Sequence, residues 1–208
     1  MHIPDKFRVT DPSRLHRLIR SHPFAAVIST GLRDPEVSHI PLFLDADHAQ
    51  LRGHVAHANP HWRSLGDGAD VLVIFNGPQA YVTPQAYPSK RDHGRVVPTW
   101  NYAVVHVTGR ARAVADRTWL LRNVNELSDQ QEMPFAHAWA VSDAPDDYIQ
   151  KMLDGIVGIE IAIDRIEGKF KLSQNRTQAD RAGVIAELTG RPVSAEQSVA
   201  ALMESQAG

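Results

Sequence analysis

The sequence predicts a mainly β, α+β chain: an antiparallel sheet or barrel with peripheral helices, and further helices packed on it at the C-terminal end. Three observations predict this. Seven to eight short strand signals recur along the chain, several joined by turns of a few residues. The strongest of them, Val96 to Gly109, reads Val-Val-Pro-Thr-Trp-Asn-Tyr-Ala-Val-Val-His-Val-Thr-Gly and is rich in β-branched and aromatic residues. From Thr177 onward the strand signals stop, and two capped helical stripes follow that hold too few apolar residues for a core of their own.

The elements follow in order. Asp11 and Pro12 read as a helix start, Leu15, Leu18 and Ile19 as its apolar stripe, and Pro23 as its end. Phe24 to Ser29 reads as a strand, 31–35 as a turn, and Ser38 to Leu44 as a second strand in which Pro41 marks an edge or bulge. Asp45 to His48 turns the chain into a third strand, Leu51 to Val55. Asn59 followed by Pro60 starts a short helix that Gly66 and Gly68 stop. Val71 to Phe75, the turn Asn76-Gly77-Pro78, and Ala80 to Thr83 read as a hairpin. Pro84 to Arg95 reads as a loop: a solvated connector, a lid or a crossing between subunits. Pro98 then biases Val97 toward an extended conformation before the strongest strand.

Asp116 starts a longer helix with Leu120, Val124 and Leu127 on one stripe. Residues 129–145 read as irregular, and Pro145 restarts a helix to about Leu153. Ile156 to Ile163 reads as a strand, with Gly158 as a bulge, and it continues from Ile166 to Ser173 through a kink at Glu167-Gly168. Thr177 caps the next helix, and Ser194 with Gln197 forms a capping box for the last. The expected organisation is one domain over 1–208, with 177–208 as its helical extension.

Composition narrows the function. The chain has 208 residues, 43% hydrophobic and 22% charged, with a formal net charge of −2. That is ordinary for a soluble globular protein, and it gives no support to sequence-independent nucleic-acid binding, which wants a basic face. With no cysteine there is no disulfide, thiolate metal site or cysteine nucleophile. The absence of a signal-peptide pattern or a membrane-length apolar run makes a cytoplasmic location the simplest expectation.

Three groups of residues carry chemistry. The first is His54, His57 and Asn59, where a strand runs into a helix N-terminus, a place that suits a phosphate. With His61 the histidines invite a metal, but their spacing crosses from strand to helix and no acid lies close until Asp67, so no metal site is assigned. The second is Trp100, Asn101 and Tyr102, where aromatics and an amide can hold a flat ring. The third is Lys169, Lys171 and Ser173, which share one strand face by alternation, with Gln174 adding an amide. These suit a phosphate or an electron-rich ring edge. No nucleophile elbow, dinucleotide fingerprint or phosphate loop is present, and catalytic residues are not assigned.

Four stretches together resemble a known family. They are Gly53-His54-Val55-Ala56-His57-Ala58-Asn59-Pro60-His61-Trp62, Phe75-Asn76-Gly77-Pro78-Gln79-Ala80-Tyr81-Val82-Thr83-Pro84, Val97-Pro98-Thr99-Trp100-Asn101-Tyr102, and Glu167-Gly168-Lys169-Phe170-Lys171-Leu172-Ser173-Gln174-Asn175. In this order they resemble the PaiB-type FMN-binding negative transcriptional regulators. The resemblance implies an FMN-binding split β-barrel related to the pyridoxamine 5′-phosphate oxidases. It also implies a homodimer with flavin sites at the subunit interface, and repression of protease and sporulation genes. Ala86 stands before Tyr87 where that family usually carries a tryptophan, and no helix-turn-helix is visible, so DNA binding has no support of its own. Two other readings of the pocket are a flavin-dependent oxidoreductase and a haem-binding or haem-degrading split barrel.

Overall fold

Burial alternates along much of the long strands 69–82, 99–114 and 156–171. The computed structural model describes residues 1–30 and 34–206, so the 31–35 turn lies largely outside the described residues. Strands β1 (Arg8–Val9), β2 (Phe24–Thr30), β3 (Pro35–Pro41), β4 (Phe43–Leu44), β5 (Gln50–Ala56), β6 (Ala69–Val82), β7 (Thr99–Val114) and β8 (Ile156–Lys171) are hydrogen-bonded in the order β3-β2-β6-β7-β8-β5-β4, with β1 beside β8.

The first unit comprises His16–Phe75 and His106–Ile166. β2 (Phe24–Thr30) pairs antiparallel with β3 (Pro35–Pro41) on one side and with β6 (Ala69–Val82) on the other, Val27 lying opposite Ser38 and Val73. β4 (Phe43–Leu44) pairs with β5 (Gln50–Ala56), which in turn pairs with β8 (Ile156–Lys171), His54 opposite Gly158. The single predicted strand 38–44 is thus two strands, divided at Leu42, whose N–H donates to Pro23 O. β5 comes back against β3. A Cβ on Gly53 would meet the Pro41 carbonyl oxygen at 2.7 Å, so only glycine permits that approach. Inside lie Val27, Leu51, Val73, Phe75, Val107, Ala111, Ile159 and Ile161. Each large aliphatic side chain among them contributes about 1.5–3 kcal/mol by burial.

α4 (Arg117–Glu132) packs on β5 and β8, its N–H groups met by Asp116, which accepts from Trp119 N at 2.7 Å. Leu120 and Leu127 are buried as the stripe predicts, but the position between them is Asn123, not Val124. The Trp119 ring fills the space a side chain on Gly158 would take. α2 (His61–Leu65) and α5 (Asp146–Leu153) complete this unit.

The second unit comprises Met1–Leu15, Asn76–Val105 and Glu167–Gly208. β1 (Arg8–Val9) pairs with the end of β8, Arg8 opposite Lys169. β7 (Thr99–Val114) begins here, as does α1 (Pro12–Ser21). The predicted loop 84–95 is ordered as a 3-10 turn over Pro84–Ala86 and a short α3 (Ser89–His93). It is anchored to α6 (Gln178–Thr189). The buried Asp180 carboxylate accepts from Ser89 N at 3.1 Å and Ser89 Oγ at 2.9 Å, and Gly183 leaves room for the Ala86 carbonyl. Burial alone would raise the Asp180 pKa, but the bonds from Ser89, with Thr177 and the nearby Arg176, outweigh it and hold the carboxyl below its ordinary value. Phe170, Leu172, Val184, Leu188, Val199 and Met203 form this core. α7 (Ser194–Glu204) has Val193 as its cap, so Ser194 is its first residue and not its cap, and Gln197 donates to Arg191 O.

The predicted 71–83 hairpin is one continuous strand, β6. Its inward residues are Val71, Val73 and Phe75 before Asn76-Gly77 and Pro78, Ala80 and Val82 after, so the turn-like dipeptide shifts the alternation instead of reversing the chain. Gly77 is not among the positive-φ glycines, which a tight hairpin turn there would require.

Candidate functional site

The β7 alternation sends Trp100 outward, 53% exposed, and Asn101 inward, 0% exposed, with Tyr102 half-buried. The three therefore do not form one surface. Asn101 Nδ2 donates to Ser173 Oγ at 2.9 Å and to Met203 Sδ at 3.4 Å, inside the second unit. Ser173 lies beyond the end of β8, in the left-handed region at φ 62°, and is buried. The expectation that Ser173 shares the lysine face is corrected on that ground: alternation ends at Lys171, and the following residues turn. Gln174 shapes that turn, its Oε1 accepting from Leu172 N at 2.7 Å and its Nε2 donating to Phe170 O at 2.5 Å. Asn101, Ser173 and Gln174 are thus hydrogen-bonded within the chain itself.

What remains open is aromatic and cationic. Lys171 Nζ donates to Thr99 Oγ1 at 2.6 Å and to Trp100 O at 2.5 Å, so the predicted ring platform and the predicted cation strand do meet. Lys169 Nζ lies 5.5 Å from the Tyr102 ring centroid, and Tyr81 meets Trp100 edge-on with centroids 6.0 Å apart. The turn also brings back Arg176, absent from the predicted set, whose guanidinium lies 4.7 Å from the centroid of the buried Tyr87 ring. Its only signal in the sequence is its charge; the fold supplies the proximity. Among the described residues no salt bridge engages Lys169, Lys171 or Arg176. The buried Tyr87 hydroxyl lies beside Arg176 and Ser173.

The other predicted group belongs to the first unit. His54 is half-buried beneath α4, its Nδ1 3.3 Å from Asn123 Nδ2. His57 is exposed, as a strand-to-loop change of direction requires, and its ring meets Trp62 at 5.4 Å. Both rings line a cleft of about 260 Å³ floored by Leu120, Leu153 and Val157. Asn59 caps as predicted, Oδ1 accepting from His61 N at 3.0 Å, but its Nδ2 is committed to Ser38 Oγ at 3.0 Å. The α2 helix behind it has 5 residues, too few to present a developed dipole to a phosphate, so the phosphate expectation at Asn59 is not supported by this geometry.

A family model described as "Putative FMN-binding domain" matches residues 1–165. The chain belongs to that FMN-binding-domain family. A Bacillus subtilis relative named Protease synthase and sporulation protein PAI 2 is 31% identical over 208 residues, covering 99% of this chain and 98% of its own. An Emericella nidulans relative, Uncharacterized protein AN0679, is 39% identical over 213 residues and covers 84% of each chain. The solved FAD and heme binding protein from Mycobacterium smegmatis has the same fold, with a TM-score of 0.55 at 18% identity, covering 79% of this chain and 73% of its own. The fold is therefore that of the flavin-binding split barrels.

Within this member of the FMN-binding-domain family the electrostatics single out the cation cluster. Burial, then Lys169, then Arg176 push the Lys171 pKa below its ordinary value. A bound anion would oppose this shift, because its attraction stabilises the charged ammonium. Burial raises the Tyr87 phenol, and Arg176 opposes it. Burial lowers His54.

Proposed function

We propose that this chain is an FMN-binding regulatory protein of the PaiB type. One observation carries the reading: Lys169, Lys171 and Arg176 lie near one another, beside exposed Trp100 and half-buried Tyr102. A dianionic phosphate meets the cations and a flat ring meets the aromatics. The flavin would supply any redox chemistry; the chain's own residues bind and orient it. His57, with Trp62, is the member of the histidine group left free to meet a ligand. The regulatory part rests on the name of the Bacillus subtilis relative, which spans nearly this whole chain.

The proposal includes a cytoplasmic homodimer acting as one domain over 1–208, 177–208 being its helical extension. Among the described residues no helix is long and apolar enough to cross a membrane. On β7, Ala103, Val105 and Val107 are buried, while Tyr102 and Val104 on the other face are only half-covered, a face that a second copy suits. Sedimentation is expected to show a dimer at micromolar concentration.

The test is spectroscopic. Purified protein mixed with FMN is expected to shift the flavin absorbance and quench its fluorescence at one flavin per chain. A Soret band with haemin and no response to FMN would replace this reading with the haem-binding one. NAD(P)H consumption by the FMN-loaded protein would add oxidoreductase activity.

A further inference from the structure

One stretch of the first unit holds apolar side chains out in water on a hydrogen-bonded backbone. After α4 the chain runs through Met133, Phe135 and Trp139, which are 75%, 63% and 44% exposed. Phe135 N donates to Glu132 O at 2.9 Å, and Trp139 N donates to Glu132 Oε2 at 3.0 Å. Glu132 thus closes residues 133–139 into a loop. Its far end is fixed by Ala140 N, which donates to Asp143 Oδ2 at 2.9 Å, and by the buried Val141. One exposed apolar side chain is ordinary, whereas three on a single closed loop mark a contact surface.

The charge of this stretch is one-sided. Between Arg122 and Lys151 the sequence has no lysine or arginine and six carboxylates: Glu126, Asp129, Glu132, Asp143, Asp146 and Asp147. Glu126 is spent on Arg52 and Arg122, and Glu132 and Asp143 accept from backbone N–H groups. Asp129, Asp146 and Asp147 are exposed, and among the described residues none of them makes a salt bridge. A partner that fits must bring positive charge and an apolar tip.

The chain itself supplies a segment that answers both demands. Lys90, Arg91 and Arg95 stand against a single acid, Asp92, on α3 and the residues after it. Arg91 and Arg95 are exposed, and none of the three cations makes a salt bridge among the described residues. Residues 94–98 belong to no helix or strand, and Val97 is 65% exposed. Segment and loop are both exposed in the single chain, so what covers them comes from outside it. A second copy covers both at once: two-fold symmetry seats the segment of each copy on the loop of the other, and the exchange closes.

We propose that residues 89–97 of each copy seat on the 129–147 surface of a second copy, Val97 against Phe135 and Trp139, and Arg91 and Arg95 against Asp129, Asp146 and Asp147. This rests on the homodimer proposed above and adds a second contact to the β7 face, into which the segment directly runs. A stable interface buries about 800 Å² on each side, more than one short segment offers. The β7 face therefore supplies the apolar centre, and the segment acts as the charged rim that fixes register.

The experiment uses the full-length chain, which has no cysteine of its own. Val97→Cys and Phe135→Cys, both at exposed positions, are co-expressed and treated with a short bismaleimide. Each chain carries one cysteine, so every link is between chains. Covalent dimer is expected from the mixture, well above the yield from either variant alone. In sedimentation equilibrium, Arg91→Glu with Arg95→Glu is expected to weaken the dimer roughly tenfold at low salt and much less at about 1 M salt. Trp139→Ala is expected to weaken it roughly thirtyfold. A native protein that stays monomeric overturns the homodimer and this contact together. A native dimer with no excess cross-link in the mixture, or with unchanged affinity in both sets of variants, overturns this contact alone. Tight binding of a polyarginine peptide to the native dimer would mean that the loop is left open for a different basic partner, and would overturn it too.

Discussion

Replacing Lys171 by alanine is expected to weaken FMN binding ten- to a hundredfold. A lost charge-assisted hydrogen bond costs about 1.5–3 kcal/mol, and about 1.4 kcal/mol is a factor of ten. Two effects compete in the flavin-free protein. The substitution removes the donations to Thr99 Oγ1 and Trp100 O, and it relieves repulsion from Lys169 and Arg176. The melting temperature is therefore expected to move by no more than a few degrees, at about 2–4 °C per kcal/mol for a chain of this size. A flavin fluorescence titration beside melts of both apo proteins reads the two effects separately. Unchanged affinity would remove Lys171 from the site, and a large drop in melting temperature would make it a structural residue.

Gly109→Ala is expected to destabilise the protein by about 3 kcal/mol, because overpacking against rigid backbone leaves no side chain to swing aside. A Cβ on Gly109, in β7, would sit within the envelope of the Ala162 carbonyl oxygen on β8. The melting temperature should fall by roughly 6–12 °C. Gly190→Ala is the control: its Cβ would meet Ala186 O at an ordinary 3.5 Å, and its backbone is right-handed. That substitution is expected to be neutral or to stabilise by about 0.4–1 kcal/mol through the unfolded chain. Equal melting temperatures for the two variants would mean that β7 and β8 are not packed as closely as described.

Local signals were legible where local chemistry decides the outcome. The Asp116 and Thr177 caps accept from Trp119 N and Asp180 N, and the alternation of β7 buries Ala103, Val105 and Val107 together. Signals that depend on distant partners were not. Asn76-Gly77-Pro78 has turn composition, but neighbouring strands keep β6 extended and use the dipeptide to change its buried face. Asn101 and Ser173 read as ligand contacts because amides and hydroxyls suit ligands. The structure spends them on each other across 72 positions of sequence. Arg176 and His61 drew little weight because their partners, Lys171 and Tyr87 for one and Ser29 and Ser38 for the other, come together only in the fold. The meeting of the 99–102 and 169–171 stretches was legible as two groups, and the Lys171 bonds to Thr99 and Trp100 supply their geometry.

The central question is whether the cation cluster holds a phosphate. Equilibrium dialysis of the native protein against FMN and, separately, against riboflavin measures this, since the two ligands share the ring and differ in the phosphate. Saturable FMN binding is expected, with riboflavin at least roughly tenfold weaker for the loss of one charge-assisted contact. Equal affinities for the two ligands would contradict the role given to Lys169, Lys171 and Arg176, and binding of neither would contradict the flavin reading itself.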